Sequence, residues 1–142
     1  PAYIRWAQRH ISAGMAEAGR TQHRIIVYLD VKVTPDGAPA RAAARRALAD
    51  WLPWPDAQTD TLGITQDIAK FIQTHGVDSM AEHMPDEWLD AMCAAGTPDQ
   101  AASAIQRVAA TGADSVVFQP LNGDPACLDE YIQYLMPQLK TQ

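Results

Sequence analysis

Two short apolar segments constrain this chain more than any other feature of its sequence. Residues 25–33 begin as an unbroken apolar run that alternates only at its end, and residues 115–119 are apolar without alternation. Runs of this kind are typical of strands that are buried on both faces of a parallel sheet. Amphipathic helical segments precede, separate and follow the two runs. The sequence therefore predicts an α/β fold, with a parallel sheet and helices outside it.

The helical segments carry start and stop signals. Residues 2–18 place apolar side chains at steps of three and four, and Gly19 ends that predicted helix. A second helix is predicted over residues 38–51. Thr97-Pro98-Asp99-Gln100 forms a capping box, which starts another helix. The last helix is predicted to bury an inner face made of Leu128, Ile132, Leu135 and Met136.

The number of strands is the difficulty with this fold class. A closed (β/α)₈ barrel has eight strands and typically about 250 residues, whereas only two strands are predicted here. Residues 53–95 are interpreted as an irregular helical insertion, with short helices near 64–74 and 85–94. Either this insertion hides further strands, or the chain is a part of something larger, or it pairs with a copy of itself.

The charge balance limits the classes of partner. The chain has 11 Lys and Arg residues against 17 Asp and Glu residues, a formal net charge of -6. Binding to nucleic acid or to an anionic membrane surface needs a concentration of positive charge, so neither is expected. Arg41, Arg45 and Arg46 form a basic cluster, which we interpret as a solvated helix face without a role in a site.

The cysteine content and the hydropathy pattern indicate the cellular compartment of the protein. Cys93 and Cys127 lie inside apolar helical patterns and are predicted to be small buried residues without a disulfide. No segment reaches the roughly 18 apolar residues that a membrane span needs, and the first residues lack the core of a signal peptide. We therefore expect a soluble, cytoplasmic protein.

Searches for motifs that carry chemistry find none of the common ones. The sequence has no phosphate-binding loop, no Gly-x-Gly-x-x-Gly, no His-Glu-x-x-His and no Gly-x-Ser-x-Gly. The four histidines are scattered, and no two of them have the i, i+4 spacing that would hold a metal on a helix. No metal site and no catalytic residue are predicted.

One candidate site follows from position alone. Ligands of parallel α/β proteins bind at the carboxyl ends of the strands, where loops meet helix N-termini. The loop after the second predicted strand, residues 119–124, offers amide side chains, a glycine and a helix start. A turn whose Asp124 caps the following helix explains residues 122–124 equally well.

Two other groups of residues have alternative interpretations. Asp30 and Lys32 either pair with each other on one face of the first strand or are solvated near its end. Trp51, Trp54 and Trp88 either line a ligand pocket or close the edge of a core, and the second arrangement is the commoner one for large aromatic side chains on short helices.

The order of several short motifs resembles a known family. The segments are Ala16–Arg20 before a strand, Met84–Leu89, Gly96–Gln100, Gly112–Pro120 and Leu128–Ile132. In this order they resemble the carboxyl-terminal part of the luciferase-like monooxygenases. That family includes bacterial luciferase and the F420-dependent methylenetetrahydromethanopterin reductases. The Gly-Thr-Pro helix followed by Gly-Ala-Asp and an apolar strand is similar to the final α/β step of these proteins.

The resemblance implies a fold and a cofactor. Residues 1–142 would form the last two β/α units of a (β/α)₈ TIM barrel, and the chain would be part of an oxidoreductase that uses FMN or coenzyme F420. Its implied cofactor-binding residues are Gln119, Pro120, Asn122 and Gly123, which border the mouth of the barrel. The expected partners are a small-molecule substrate and either a second copy or the missing part of the barrel.

Two other functions remain open at this point. The chain could be a half-barrel without catalysis that associates with itself, because strands with unpaired edges would otherwise expose apolar surface. It could also be a small α/β binding domain unrelated to the family, which further strands within residues 55–95 would favour.

Overall fold

Three parallel strands form the centre of the fold. The computed structural model of the chain describes residues 1–54 and 56–139. Its strands are β1 (Ile26–Val33), β2 (Ala94–Gly96) and β3 (Ser115–Pro120), in the sheet order β2–β1–β3. Val31 of β1 pairs with Ala94 of β2, and Ile26 pairs with Ser115 of β3.

Helices precede and follow each strand. In chain order they are α1 (Ala2–Glu17), α2 (Ala38–Trp51), α3 (Ala57–Leu62), α4 (Thr65–His75), α5 (Met80–His83), α6 (Asp86–Met92), α7 (Pro98–Ala109), α8 (Ala126–Glu130) and α9 (Met136–Leu139). Two 3₁₀ turns cover Val77–Ser79 and Leu121–Gly123, and a π-helical turn covers Tyr131–Leu135 between α8 and α9.

One apolar core covers one face of the sheet, and a second core lies on the other face beside β2. Successive residues of a strand point to opposite faces. Ala94 belongs to a core with Val31, Ile105 of α7 and Leu135 of the π-helical turn, whereas Ala95 belongs to a second core with Leu48 of α2. The helix that follows β1 and the helix that follows β2 therefore cover opposite faces.

This arrangement places β1 in the middle of the sheet. The connection from β1 runs to β2 on one side, and the connection from β2 then passes over β1 to β3 on the other side. In parallel α/β sheets, the point where the chain reverses direction leaves a crevice at the carboxyl ends of the strands. Here β1 and β3 are neighbours in the sheet, and their carboxyl ends lie side by side.

The α/β fold class is confirmed. The parallel sheet and its flanking helices are consistent with part of a luciferase-like (β/α)₈ barrel. The expected number of strands was too small, because β2 has three residues, Ala-Ala-Gly, and carries no strand signal of its own. β2 begins at Ala94, at the end of the segment interpreted as a helical insertion.

The predicted inner face of the last helix is wrong for three of its four residues. Leu135 is buried, but Leu128, Ile132 and Met136 are exposed, and Cys127 and Tyr131 take the buried positions instead. The reason is the contact that Tyr131 makes with the sheet. Its hydroxyl group donates a hydrogen bond to the carbonyl oxygen of Val31. This bond turns the helix so that Cys127, Tyr131 and Leu135 face the sheet.

Two arginines of the basic cluster are not solvated as expected. Arg41 of α2 contacts Asp86 at 2.9 Å and Asp90 at 2.7 Å, and Arg45 also pairs with Asp86. These ion pairs tie α2 to α6. Of the three arginines only Arg46 is exposed, as predicted for a solvated helix face.

The three tryptophans do not lie together, and both cysteines are buried. Trp88 is buried in the core beside α2, with Trp51 packed against it, whereas Trp54 is exposed. The three therefore line no common pocket. Cys93 and Cys127 are free and buried, as predicted. Among the described residues, no helix has the length and apolar character needed to cross a membrane.

Candidate functional site

The four predicted cofactor-binding residues lie together at the carboxyl end of β3. Gln119 and Pro120 are the last two residues of the strand, and they pair with Asp30 and Val31 of β1. Asn122 and Gly123 belong to the 3₁₀ turn that follows. The strand order thus brings this segment beside the carboxyl end of β1.

The side chains of Gln119 and Asn122 are available to a ligand. Both residues are exposed, and neither side chain has a hydrogen-bond partner among residues 1–54 and 56–139. Asn122 has a φ of 54°, in the left-handed region that Asn adopts more readily than most residues. At Gly123 an added Cβ would meet no atom within 4 Å, so the surface of the turn is open.

Asp124 closes the turn and has two partners of its own. Its Oδ1 accepts a hydrogen bond of 3.0 Å from the backbone N–H of Ala126, and its Oδ2 lies 3.5 Å from Nζ of Lys32. The capping interpretation is therefore correct for Asp124. The helix start was one of the features that suggested this loop as a ligand site. Its Ala126 N–H group is already hydrogen-bonded to Asp124.

Lys32 adopts neither of the two expected arrangements. Its Nζ donates to Oε1 of Glu130 at 2.8 Å and lies 3.5 Å from Sγ of Cys127. The side chain is 14% exposed. Burial by itself lowers the pKa of this ammonium group, but the hydrogen bond to Glu130 and the proximity of Cys127 outweigh it, so the pKa of Lys32 is raised.

Asp30 lies on β1 beside Gln119 without a basic partner. The structure shows no ion pair between Asp30 and any described residue. Burial raises the pKa of its carboxyl group, because the charged form loses solvation.

Tyr131 joins the ends of β1 and β3. Its hydroxyl group lies 2.7 Å from the carbonyl oxygen of Val31 and 3.3 Å from that of Gln119. The ring also packs edge-on against Phe118, with centroids 5.9 Å apart. Burial strongly raises the pKa of this hydroxyl group, so it remains a donor at neutral pH. Tyr131 therefore holds the strand end from which the candidate turn starts.

Sequence reasoning found the turn and missed the residues that support it. Lys32 was noted, but its partner Glu130 lies 98 positions further along the chain and has no local signal. Tyr131 lies inside a segment that contributed to the family resemblance, where nothing distinguishes it from a core aromatic residue. Only the strand order shows that these side chains meet.

Cys93 is not a candidate nucleophile. Its side chain is buried, and burial raises the pKa of the thiol to about 12, so the thiolate is scarce at neutral pH. Among the described residues, no group of three or more His, Cys, Asp and Glu side chains is arranged to hold a metal ion.

A concave surface lies along the amino-terminal half of β1. It has a volume of about 290 Å³ and is mainly apolar, with Ile4 and Ile11 of α1 facing Val27 of β1 and Met92 of α6. Gln8 in its wall donates to the carbonyl oxygen of Thr111 at 2.7 Å and so fixes α1. This groove lies away from the carboxyl ends of the strands.

Comparison with known proteins gives one match. The model of the luciferase-like monooxygenase family matches residues 1–115, which is most of the chain. The match ends at the first residue of β3, so the candidate turn lies beyond it. No curated protein matches the chain.

Proposed function

The chain belongs to the luciferase-like monooxygenase family, and on this premise we propose that it forms part of an oxidoreductase that uses a flavin or coenzyme F420. The observation that carries the proposal is the pair of exposed amide side chains, Gln119 and Asn122, at the carboxyl end of a parallel sheet. Both amides lack partners among the described residues, and the carboxyl ends of parallel strands are where α/β proteins place ligands.

The residues of the turn suit the ring of such a cofactor. A flavin or deazaflavin ring carries carbonyl oxygens and ring nitrogens along one edge, and an amide side chain offers both a donor and an acceptor. Gln119 and Asn122 would hold that edge, while Pro120 and the open surface at Gly123 would let the ring approach the backbone closely. When bound, the ring supplies hydride transfer or oxygen activation.

The rest of the chain's contribution is to fix this turn. Tyr131 holds the end of β3 against β1, and Lys32 holds Asp124 and α8 against the same strand. A turn anchored at both ends presents its amide groups in one geometry, which reduces the entropy lost when a ligand binds. A small-molecule substrate would then approach the exposed side of the ring.

Binding of the cofactor tests this proposal directly. The full-length protein is titrated with FMN and, separately, with F420, and binding is followed by the change in cofactor fluorescence. We expect one of the two to bind with a measurable Kd. Gln119→Ala and Asn122→Ala should each raise that Kd, whereas Gln73→Ala, which removes an exposed amide from α4, should not. Failure of both cofactors to bind would contradict the proposal.

A self-associating module is the second candidate, and exposed apolar residues on two surfaces favour it. Ile26 and Tyr28 of β1 and Val117 of β3 are exposed on one face of the sheet, although parallel sheets are normally covered on both faces. A second set of exposed apolar residues lies along α8, the π-helical turn and α9. These residues, spaced four apart, are Leu128, Ile132 and Met136. In this proposal a second copy of the chain covers the helical row, because identical apolar rows can pack against each other about a twofold axis.

A further inference from the structure

Two exposed histidines face each other in the helical segment between β1 and β2. His75 is the last residue of α4, and His83 is the last residue of α5. The centroids of their imidazole rings lie 6.4 Å apart. Both side chains are exposed, and neither ring makes a hydrogen bond with a residue of 1–54 or 56–139. Their ring nitrogens are therefore open to a ligand.

The ring of His75 is held against the core. It packs on Phe71, one turn earlier in α4, with the ring centroids 4.7 Å apart. Phe71 in turn meets the buried ring of Trp88 edge-on, at a centroid distance of 5.8 Å. A side chain that is already held by packing loses less conformational entropy when it binds a ligand. His75 is therefore positioned before any ligand arrives.

A carboxylate lies beside the ring of His83. Oε2 of Glu82 is 3.8 Å from Nε2 of His83. Histidines that bind a metal usually donate their second ring N–H to a carboxylate, carbonyl or water, which fixes the tautomer and makes the coordinating nitrogen more basic. With Nε2 beside Glu82, Nδ1 is the nitrogen of His83 that is left to coordinate.

The charge around the two rings favours a cation. Residues 65–83, from the start of α4 to the end of α5, carry Asp67, Asp78 and Glu82 against one basic side chain, Lys70. Lys70 is itself 3.8 Å from Asp67. His75 also ends an 11-residue helix, whose carbonyl groups place a partial negative charge at that end.

We propose that His75 and His83 together bind a late first-row divalent metal ion, Cu²⁺ most tightly. Imidazole nitrogens suit Cu²⁺, Ni²⁺ and Zn²⁺, whereas Mg²⁺ and Ca²⁺ take oxygen ligands. Among the described residues no third His, Cys, Asp or Glu side chain completes the pair, so water fills the other positions. This site lies outside the turn 119–124 and does not depend on the proposed cofactor.

The geometry needs only a small movement of the rings. Metal–nitrogen bonds of about 2.0–2.1 Å to one shared ion place the centroids of two imidazoles about 5 Å apart. From their separation of 6.4 Å the rings would approach each other by between about 1 and 2 Å. Rotation of the exposed side chain of His83 supplies a movement of this size. The bound ion would then join the end of α4 to the end of α5.

Metal titration of the full chain, produced without a histidine tag, tests the proposal. Cu²⁺, Ni²⁺, Zn²⁺ and Mg²⁺ are each titrated by calorimetry, and the Cu²⁺ complex is examined by electron paramagnetic resonance. Ni²⁺ and Zn²⁺ do not oxidise the cysteines and so check the Cu²⁺ result. His75→Ala and His83→Ala each remove one imidazole, and Glu82→Gln removes the carboxylate. His23→Ala, at an exposed histidine outside the pair, is the matched control.

We expect one tightly bound Cu²⁺ per chain, weaker binding of Ni²⁺ and Zn²⁺, and no binding of Mg²⁺. His75→Ala and His83→Ala should each raise the Kd for Cu²⁺ by about 10-fold or more, because even loss of a group that only orients a ligand typically costs about 10- to 100-fold. Glu82→Gln should raise it by about 3- to 10-fold, since Glu82 is well exposed. The nitrogen couplings should indicate two imidazoles in the wild type and one in either histidine variant.

The control and the single variants decide the outcome. A Kd for Cu²⁺ that stays within about 3-fold of the wild type in either His75→Ala or His83→Ala would overturn the proposal, because the two rings would not share one ion. An equal loss of affinity in His23→Ala would overturn it as well, since binding would then be spread over unrelated histidines. So would wild-type protein that binds neither Cu²⁺ nor Ni²⁺. Urea unfolding without metal should give the same midpoint for all four variants, which shows that they are folded.

Discussion

Lys32 at the end of β1 and Glu130 at the end of α8 form one ion pair across 98 positions of the sequence, with Nζ and Oε1 2.8 Å apart. The second carboxylate oxygen of Glu130 is buried and has no hydrogen-bond partner among the described residues. Glu130 therefore depends on Lys32. A buried carboxylate that loses its only cation costs far more than a surface ion pair contributes.

Replacing Lys32 should accordingly destabilise the fold. Breaking a fully buried pair typically costs about 3–5 kcal/mol, and we expect about 2 kcal/mol for Lys32→Met because Glu130 retains 22% exposure. Urea unfolding measures the change. The double variant Lys32→Met/Glu130→Gln should recover most of the loss. Lys70→Met, at an exposed lysine, is the matched control and should be neutral. A double variant no more stable than Lys32→Met would show that Glu130 is not the cause.

Asp30→Asn should change the pH dependence of stability. The pKa of Asp30 is raised in the folded state, so its contribution is most favourable below the unfolded value near 3.8 and is lost as pH rises through the folded value. The neutral amide should therefore stabilise the protein at pH 7, by less than about 1 kcal/mol because the carboxyl group is half-exposed. Unfolding free energies at pH 7 and pH 3.5 test this. The gain should shrink at the lower pH, and a gain that is independent of pH would contradict the assignment.

Tyr131→Phe removes the donor that holds the ends of β1 and β3. The carbonyl oxygen of buried Val31 would lose this hydrogen bond, and we expect a loss of about 1–3 kcal/mol in the free energy of unfolding. The ring contact with Phe118 remains in this variant. Tyr134→Phe changes a partly buried tyrosine three residues away and serves as the control. Equal effects of the two substitutions would show that the hydrogen bond is unimportant.

Ile132→Glu tests self-association. Ile132 is 70% exposed in the middle of the row on the last helix, so a charge there should leave the fold intact. If two copies pack through this row, the charge lies in their interface. Light scattering at micromolar concentration should then show a dimer for the wild type and a monomer for the variant. A wild-type monomer would end the self-association proposal, and a dimeric variant would exclude this row as its interface.

The sequence predicts the elements whose signals are local. α1, α2, β1 and β3 were expected within a residue or two of their observed bounds, and α7 was expected to begin where it does, because periodicity, caps and apolar runs lie inside the elements themselves. β2 could not be found, since three small residues carry neither alternation nor β-branched side chains.

The arrangement of the site depends on information that no local pattern contains. The turn 119–124 was expected from the rule that ligands lie at strand ends, and its four cofactor-binding residues stay a prediction. The prediction for the inner face of the last helix was wrong, because a tertiary contact determines which side of the helix is buried. Tyr131 reaches carbonyl oxygens of β1 and β3, and this interaction outweighs the apolar row at Leu128 and Ile132.

The central position of β1 also affects how the chain acquires its structure. Neither neighbour of β1 is close in sequence, because α2 to α6 separate it from β2, and β3 follows later still. Of the three described strands β1 is synthesised first, so neither of these two pairings can form until the later segments have been made. Sheets built from such distant pairings fold slowly and are prone to aggregate before they close. The basic and acidic side chains that tie α2 to α6 draw together the two ends of the segment between β1 and β2, and so favour the first of these pairings.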